Sequence, residues 1–173
     1  MAPSDPNIIY VGSGAGIIRP DLATGDGMYK SIDAGKNWTH LGLRESQMIA
    51  MVDVDPANPN RLFVAALGHP YGPNEERGIF RSTDGGRTFE KVLYKDAYTS
   101  GNDVRIDPSN PNIVYATLWQ QQQAFWEGGG FGGVSGGEGG GGEVGGGVGG
   151  AGRGDGGGGR RVGGEGEGGI GEE

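Results

Sequence analysis

The chain writes one phrase twice. "SIDAGKNW", residues 31–38, returns 51 positions later as "STDGGRTF", residues 82–89; each reads Ser-x-Asp-x-Gly, then two residues, then an aromatic. A second marker keeps nearly the same step. "DPNIIYV" at 5–11, "DPANPNRLFVA" at 55–65 and "DPSNPNIVYAT" at 107–117 place Tyr10, Phe63 and Tyr115 at intervals of 53 and 52 residues. Two independent markers sharing one period define a structural repeat, and a repeat unit buries its apolar face only by stacking on its neighbours.

The unit is made of strands. "MIAMVDVD", "RLFVAAL", "GIFRSTD" and "TFEKVLY" are short runs rich in β-branched and aromatic residues, separated by Pro, Asn, Gly and Asp clusters. No stretch of the body carries a sustained helical period. Four antiparallel strands in a unit of about 40–50 residues are the signature of a β-propeller blade. The spacing predicts three strands of one blade (7–12, 27–32, 37–43), a full second blade (48–54, 61–67, 78–83, 88–94) and two strands of a third (103–107, 112–118).

In this frame the repeated phrase falls where the third strand of a blade turns into the fourth. Asp33 and Asp84 are expected to accept backbone N–H bonds of their own turn. Gly35 and Gly86 supply the positive φ, Ser31 and Ser82 brace the loop, and Trp38 and Phe89 return to the blade core. The phrase reads as a fold-making turn rather than a reaction centre.

Composition divides the chain in two. Residues 128–173 hold 28 of the 41 glycines and very little that is apolar. Such a segment buries too little surface to offset chain entropy, which predicts a disordered tail behind a domain at 1–127. The formal charge of −8 includes no basic stripe, which argues against nucleic acid and against an anionic membrane surface as partners. With no cysteine there is neither a disulfide nor a thiolate metal site. The first residues show no signal peptide and no run spans a bilayer, leaving the compartment undetermined.

"SIDAGKNW" and "STDGGRTF" resemble Asp boxes, the turn motif of bacterial neuraminidase (BNR) repeats found in sialidases and sortilin-type propellers. "GDGMYKSIDAGKNWTHLGL", "RGIFRSTDGGRTFEKVLY" and "NDVRIDPSNPNIVYATLWQ" are similar in style to bacterial Asp-box propellers described as sortilin-like or glycosyl-hydrolase-like. The resemblance covers residues 5 to about 127 and implies an all-β propeller; relatives of this kind are expected to be extracytoplasmic. In the enzymes of the family, Asp boxes lie away from the active site. A third box falls due near residue 133, where "GGFGGVSGGEGGGG" has neither the Asp nor the aromatic. The departure implies a partial propeller of two-plus blades, truncated or frame-altered, with unclosed edges open to self-association; a short chain closing its ring by oligomerisation is the alternative.

The sharper chemical readings find little support in the residues. Glycoside hydrolysis requires flanking carboxyls, or a Tyr–Glu pair with an arginine cluster in sialidases, and no such set is legible. Asp21, Asp26, Glu75 and Glu76 read as solvated loop charge. "VGSGAG" at 11–16 precedes a loop with Pro20 rather than a helix, which argues against a dinucleotide site and for a strand-to-strand loop. "DVDPANPN" at 53–60 fails the order of a Ca²⁺ loop and reads as a repeated turn. The sequon at Asn37 lies within the tight turn and is discounted. His69 and Tyr71 in the loop "LGHPYGPNEERG", with Trp119 and Trp126 in "WQQQQAFWEGG", are the candidates for a ligand surface. No catalytic, metal or cofactor residue is assigned. The leading expectation is a non-catalytic scaffold offering loops to a protein, peptide or glycan. The competing expectations are a remnant of a sialidase-like glycoside hydrolase and a truncated, non-functional product.

Overall fold

The computed structural model describes residues 1–16 and 22–120 together with the backbone of Glu143–Gly145. The described residues form ten strands, nine of them in the apolar runs between Gly/Asn/Asp turns: β1 (Ile9–Gly12), β2 (Met28–Ser31), β3 (Thr39–Gly42), β4 (Ile49–Val54), β5 (Leu62–Ala66), β6 (Gly78–Ser82), β7 (Glu90–Leu93), β8 (Thr99–Ile106) and β9 (Val114–Gln120), with β10 (Glu143–Gly145) beyond them. They form three antiparallel sheets, ordered β1-β2-β3, β4-β5-β6-β7 and β8-β9-β10. The only helical turn among the described residues is a 3₁₀ piece at Arg44–Ser46. Among the described residues the fold is all-β, a partial propeller whose ring is not closed.

Register explains how the sheets mate. Side chains alternate across each strand, so directly paired residues share a face. On the first sheet Tyr10 pairs with Lys30, and Gly12 with Met28. That face meets Leu62, Val64 and Phe80 of the second sheet in one buried cluster. The second sheet's opposite face carries Phe63, Ala65 and Ile79. These pack on Val104, Ile106, Val114 and Ala116 of the third sheet. Neither layer could stay dry alone; each blade's stability is supplied largely by its neighbour.

Polar clasps repeat along with the apolar faces. The Tyr10 hydroxyl donates to the Pro59 carbonyl at 2.8 Å, and one unit on Arg61 Nη1 donates to the Pro111 carbonyl at 2.8 Å. Burial, with the nearby Asp84 charge, pushes the Tyr10 hydroxyl up to about 12. The Asp53 carboxylate accepts the Ile106 N–H at 2.7 Å, tying β4 to β8.

Two expectations need correction. Trp38 does not return to the blade core: it is 44% exposed, and its indole N–H donates to the Gly35 carbonyl at 3.0 Å. Its counterpart Phe89 is partly buried because the first sheet packs against it. No sheet covers the corresponding face of the first sheet among the described residues, so Trp38 has no such cover. β8 also starts at Thr99, four residues before the expected 103. Thr99-Ser100-Gly101-Asn102 is a poor strand by propensity. Tertiary contact rescues it: Gly101 lies against the second sheet, where a Cβ would stand 2.2 Å from the Gly78 carbonyl oxygen. Of the tail expected to be disordered, Glu143–Gly145 pair with β9, and the remainder lies outside the described residues.

Candidate functional site

The sheets have two unlike ends. One, the turn end, holds the hairpins 32–38 and 83–89; the other, the loop end, gathers the connections 43–48, 67–77 and 94–98.

At the turn end the repeated phrase makes the same knot twice. Ser31 Oγ donates to Asp33 Oδ1 at 2.8 Å and accepts the Gly35 N–H at 2.8 Å. Asp33 in turn accepts the Asn37 N–H (2.9 Å) and the Asn37 side-chain amide (2.7 Å). In the second copy Ser82 donates to Asp84 and accepts the Gly86 N–H. Asp84 accepts both the N–H (3.0 Å) and the hydroxyl (2.7 Å) of Thr88. Gly35 and Gly86 sit at φ 89° and 87°, a region L side chains avoid.

These bonds fix the carboxyl chemistry. The Asn37 N–H, then its side-chain amide and Ser31, hold Asp33 at about 2. The Thr88 N–H and hydroxyl, with Ser82, hold Asp84 well below the usual carboxylate range. Carboxyls so lowered in the folded state stabilise it above the unfolded value near 3.8, and that stability is lost as pH falls through the folded values. Thermal midpoints measured in acid should therefore decline between about pH 5 and pH 2. Asp84→Ala should lower the midpoint at pH 7 by several degrees and flatten the acid decline. An unchanged acid profile in that variant would show that Asp84 plays no such part.

The "DP" segments are turns of the same economy. Asp55 Oδ1 accepts the Ala57 and Asn58 N–H groups, and Asp107 Oδ1 accepts those of Ser109 and Asn110. Burial pushes the Asp55 carboxyl up, but the bond from Arg61 and the turn N–H groups outweigh it and hold it low. Between the two knots lies a cleft of about 520 Å³, lined by Lys30, Asn60, Asp84 and Arg87 among others. Lys30 Nζ crosses it to the Gly85 carbonyl at 3.1 Å.

The loop end is organised by Arg77, a residue that carries no recognisable motif in the sequence. Arg77, at the foot of β6, is fully buried. Nη1 donates to the Leu67 carbonyl (2.7 Å) and to Ser100 Oγ (2.5 Å); Nη2 donates to the carbonyls of His69 (2.5 Å) and Gly72 (2.9 Å). Ser100 Oγ itself donates to the Leu67 carbonyl at 2.7 Å. The guanidinium thus folds 67–77 over itself and fastens it to the third sheet. Asn74 extends the clamp, its N–H donating to the Ala97 carbonyl and its side chain to the Glu45 carbonyl.

Above this floor the candidate ligand residues are distributed as follows. Tyr71 is 51% exposed at the crest of the clamped loop, and Trp119 is 49% exposed where β9 reaches the loop end. His69 stands half-buried, its Nε2 3.9 Å from Glu45 Oε2. Trp126 lies outside the described residues, as does Asp21. The other loop carboxylates are engaged: Asp26 accepts the Tyr29 hydroxyl at 2.7 Å, Glu75 the Tyr94 hydroxyl at 3.0 Å, and Glu76 the Ser46 N–H at 2.8 Å. Among the described residues, no group of three or more His, Asp or Glu is placed to hold a metal.

No family model matches the chain, and no curated protein matches it. Among solved structures, it is similar to an ancestral GH74 enzyme, with 24% identity and a TM-score of 0.52 over 70% of this chain and 13% of that one. It is also similar to the GH74 enzyme of Niastella koreensis, with 19% identity and a TM-score of 0.50 over 69% of this chain and 16% of that one. The chain therefore spans well under a fifth of either enzyme's length. At these identities the likeness is one of fold: consecutive antiparallel sheets stacked face to face.

Proposed function

We propose that this chain is a non-catalytic, propeller-type scaffold whose loop end binds a glycan. The observation that carries the reading is the clamped loop 67–77, which holds Tyr71 exposed over a rigid, buried arginine floor, with Trp119 at the same end. Exposed aromatic rings on a fixed support suit the apolar faces of sugar rings, since little side-chain freedom is lost on stacking. The fold's likeness to GH74 enzymes favours a glycan over a protein or peptide ligand. Most carboxylates of the described turns and loops, the exposed Glu45 apart, accept hydrogen bonds within the fold, and Asp26, Asp33, Asp55, Asp84, Asp96 and Asp107 are all shifted toward the ionised form. A general acid needs the opposite shift. We read the two Ser-x-Asp-x-Gly turns as Asp boxes of a BNR, sortilin-like repeat, on the strength of their matching bond pattern.

Affinity electrophoresis of the full chain through gels holding a panel of soluble polysaccharides tests the reading. At least one polysaccharide should retard the protein, without release of reducing sugar, and Tyr71→Ala and Trp119→Ala should weaken retardation about five- to ten-fold. Reducing-sugar release, or turnover of a fluorogenic sialoside or glucoside, would instead favour the glycoside-hydrolase remnant that the same fold likeness suggests. Absence of retardation across the panel would remove the glycan.

A further inference from the structure

The two sheet junctions inside this molecule use one face pattern, and both halves of that pattern recur on its free surfaces. The second sheet presents Leu62, Val64, Phe80 and Phe89 to the first. Their repeat-equivalents on the first sheet are Ile9, Val11, Tyr29 and Trp38, at offsets of 53 and 51 residues. Among the described residues no sheet covers this face, and Val11 is 41% and Trp38 44% exposed. Ile9 and Trp38 lie together there, each within 4 Å of where a Cβ of Gly35 would stand. This is a leading face of the kind that the second sheet buries.

The trailing half is equally plain. Tyr10 and Phe63 occupy one repeat position, and both are buried, at 6% and 1%, by the sheet that follows. The third residue of the series, Tyr115, is 53% exposed. Register puts Thr117 and Trp119 on its side of β9, opposite Val114, Ala116 and Leu118, which are buried against the second sheet. The clasp has its parts as well. Tyr10 reaches the Pro59 carbonyl of the next sheet; Tyr115 repeats the hydroxyl, and Pro6 is the first-sheet equivalent of Pro59.

We propose that the trailing face of the third sheet docks on the leading face of the first sheet in a second copy of the chain, repeating the internal junction between molecules. Tyr115 packs over Ile9 and Val11 of the next copy, and its hydroxyl donates to that copy's Pro6 carbonyl. The occupant is a second copy because the molecule carries both complementary halves, and an internal junction with the same residue pattern shows how they fit. Contact is face to face rather than through sheet edges, and head to tail rather than two-fold, so association continues until a ring closes.

Sedimentation velocity of the full 173-residue chain over a concentration series reads this out. The wild type should exceed its 17.8 kDa monomer mass as concentration rises. Val11→Lys, which blocks only the leading face, and Tyr115→Lys, which blocks only the trailing face, should each remain monomeric. Mixed in equal amounts they should form a two-chain complex and nothing larger, since one intact junction survives. Tyr115→Phe should weaken self-association about five-fold through the lost hydroxyl bond. Should Tyr115→Lys fail to fold by circular dichroism, Thr117→Lys on the same face replaces it. A wild type monomeric at all concentrations, a single variant that still self-associates, or a mixture that stays monomeric would each overturn the proposal. Trp119 lies both on this face and at the loop end, so Tyr71→Ala, in the loop 67–77 and on neither docking face, reads glycan retardation separately from self-association.

Discussion

Arg77→Ala should destabilise the chain by roughly 3–5 kcal/mol, because several buried polar groups each lose a partner at about 1–3 kcal/mol apiece. The guanidinium of Arg77 serves three loop carbonyls and Ser100 in a site without solvent. Truncation leaves the Leu67, His69 and Gly72 carbonyls without that donor, and of these Leu67 is buried. Burial lowers the guanidinium pKa, with the Asp96 and Tyr94 charges opposing, but an arginine keeps its proton in any case. Arg77→Lys should recover only part of the loss, since an ammonium on one stem cannot reproduce a planar fork spread over four acceptors. Hydrogen exchange should locate the damage: the amides of Leu67 and Asn74, bonded to Met48 and Ala97, should lose protection before those of β5. Stability within about 0.5 kcal/mol of wild type would show that the buried fork is replaceable.

Phe63→Ala is the second large effect expected, at about 3–5 kcal/mol, the cost of removing an aromatic side chain from a closed core. Phe63 is 1% exposed, between the second and third sheets, with the Arg61 guanidinium 5.1 Å from its ring centroid. Its loss opens a cavity at the junction on which the third sheet rests, so the apolar contacts of Val104 and Val114 fall with it. The repeat provides its own control. Tyr115→Ala changes the same repeat position where the side chain is 53% exposed, and in dilute monomer should cost about 0.5 kcal/mol or less. Equal losses in the two variants, measured by denaturant unfolding, would contradict the face assignment.

The boundaries of β4, β5, β6 and β7 lie within two residues of those expected from "MIAMVDVD", "RLFVAAL", "GIFRSTD" and "TFEKVLY". Those runs carry both alternation and turn chemistry, and these local signals agree. Ser-x-Asp-x-Gly was readable for a similar reason: all its bonds close within five residues. Trp38 departs from the expectation because its burial depends on a sheet beyond it and not on its own turn. Arg77 gave no signal at all. It stands in "NEERG", among charges that read as solvated loop, and its partners come from Leu67 and Ser100, 10 and 23 residues away. Nor does the repeat help, since the corresponding position in the first unit is Asp26.

Local chemistry therefore determined the strands, their period and the turns that join them, because alternation, β-branching and Asx-type bonding act over two to five residues. Tertiary structure alone decided which of two like faces is covered, which of three equivalent aromatics is left exposed, and where a lone arginine finds four acceptors. Burial is a relation between distant segments. A period announces that sheets will stack, but only their assembly in space shows which faces have found a partner.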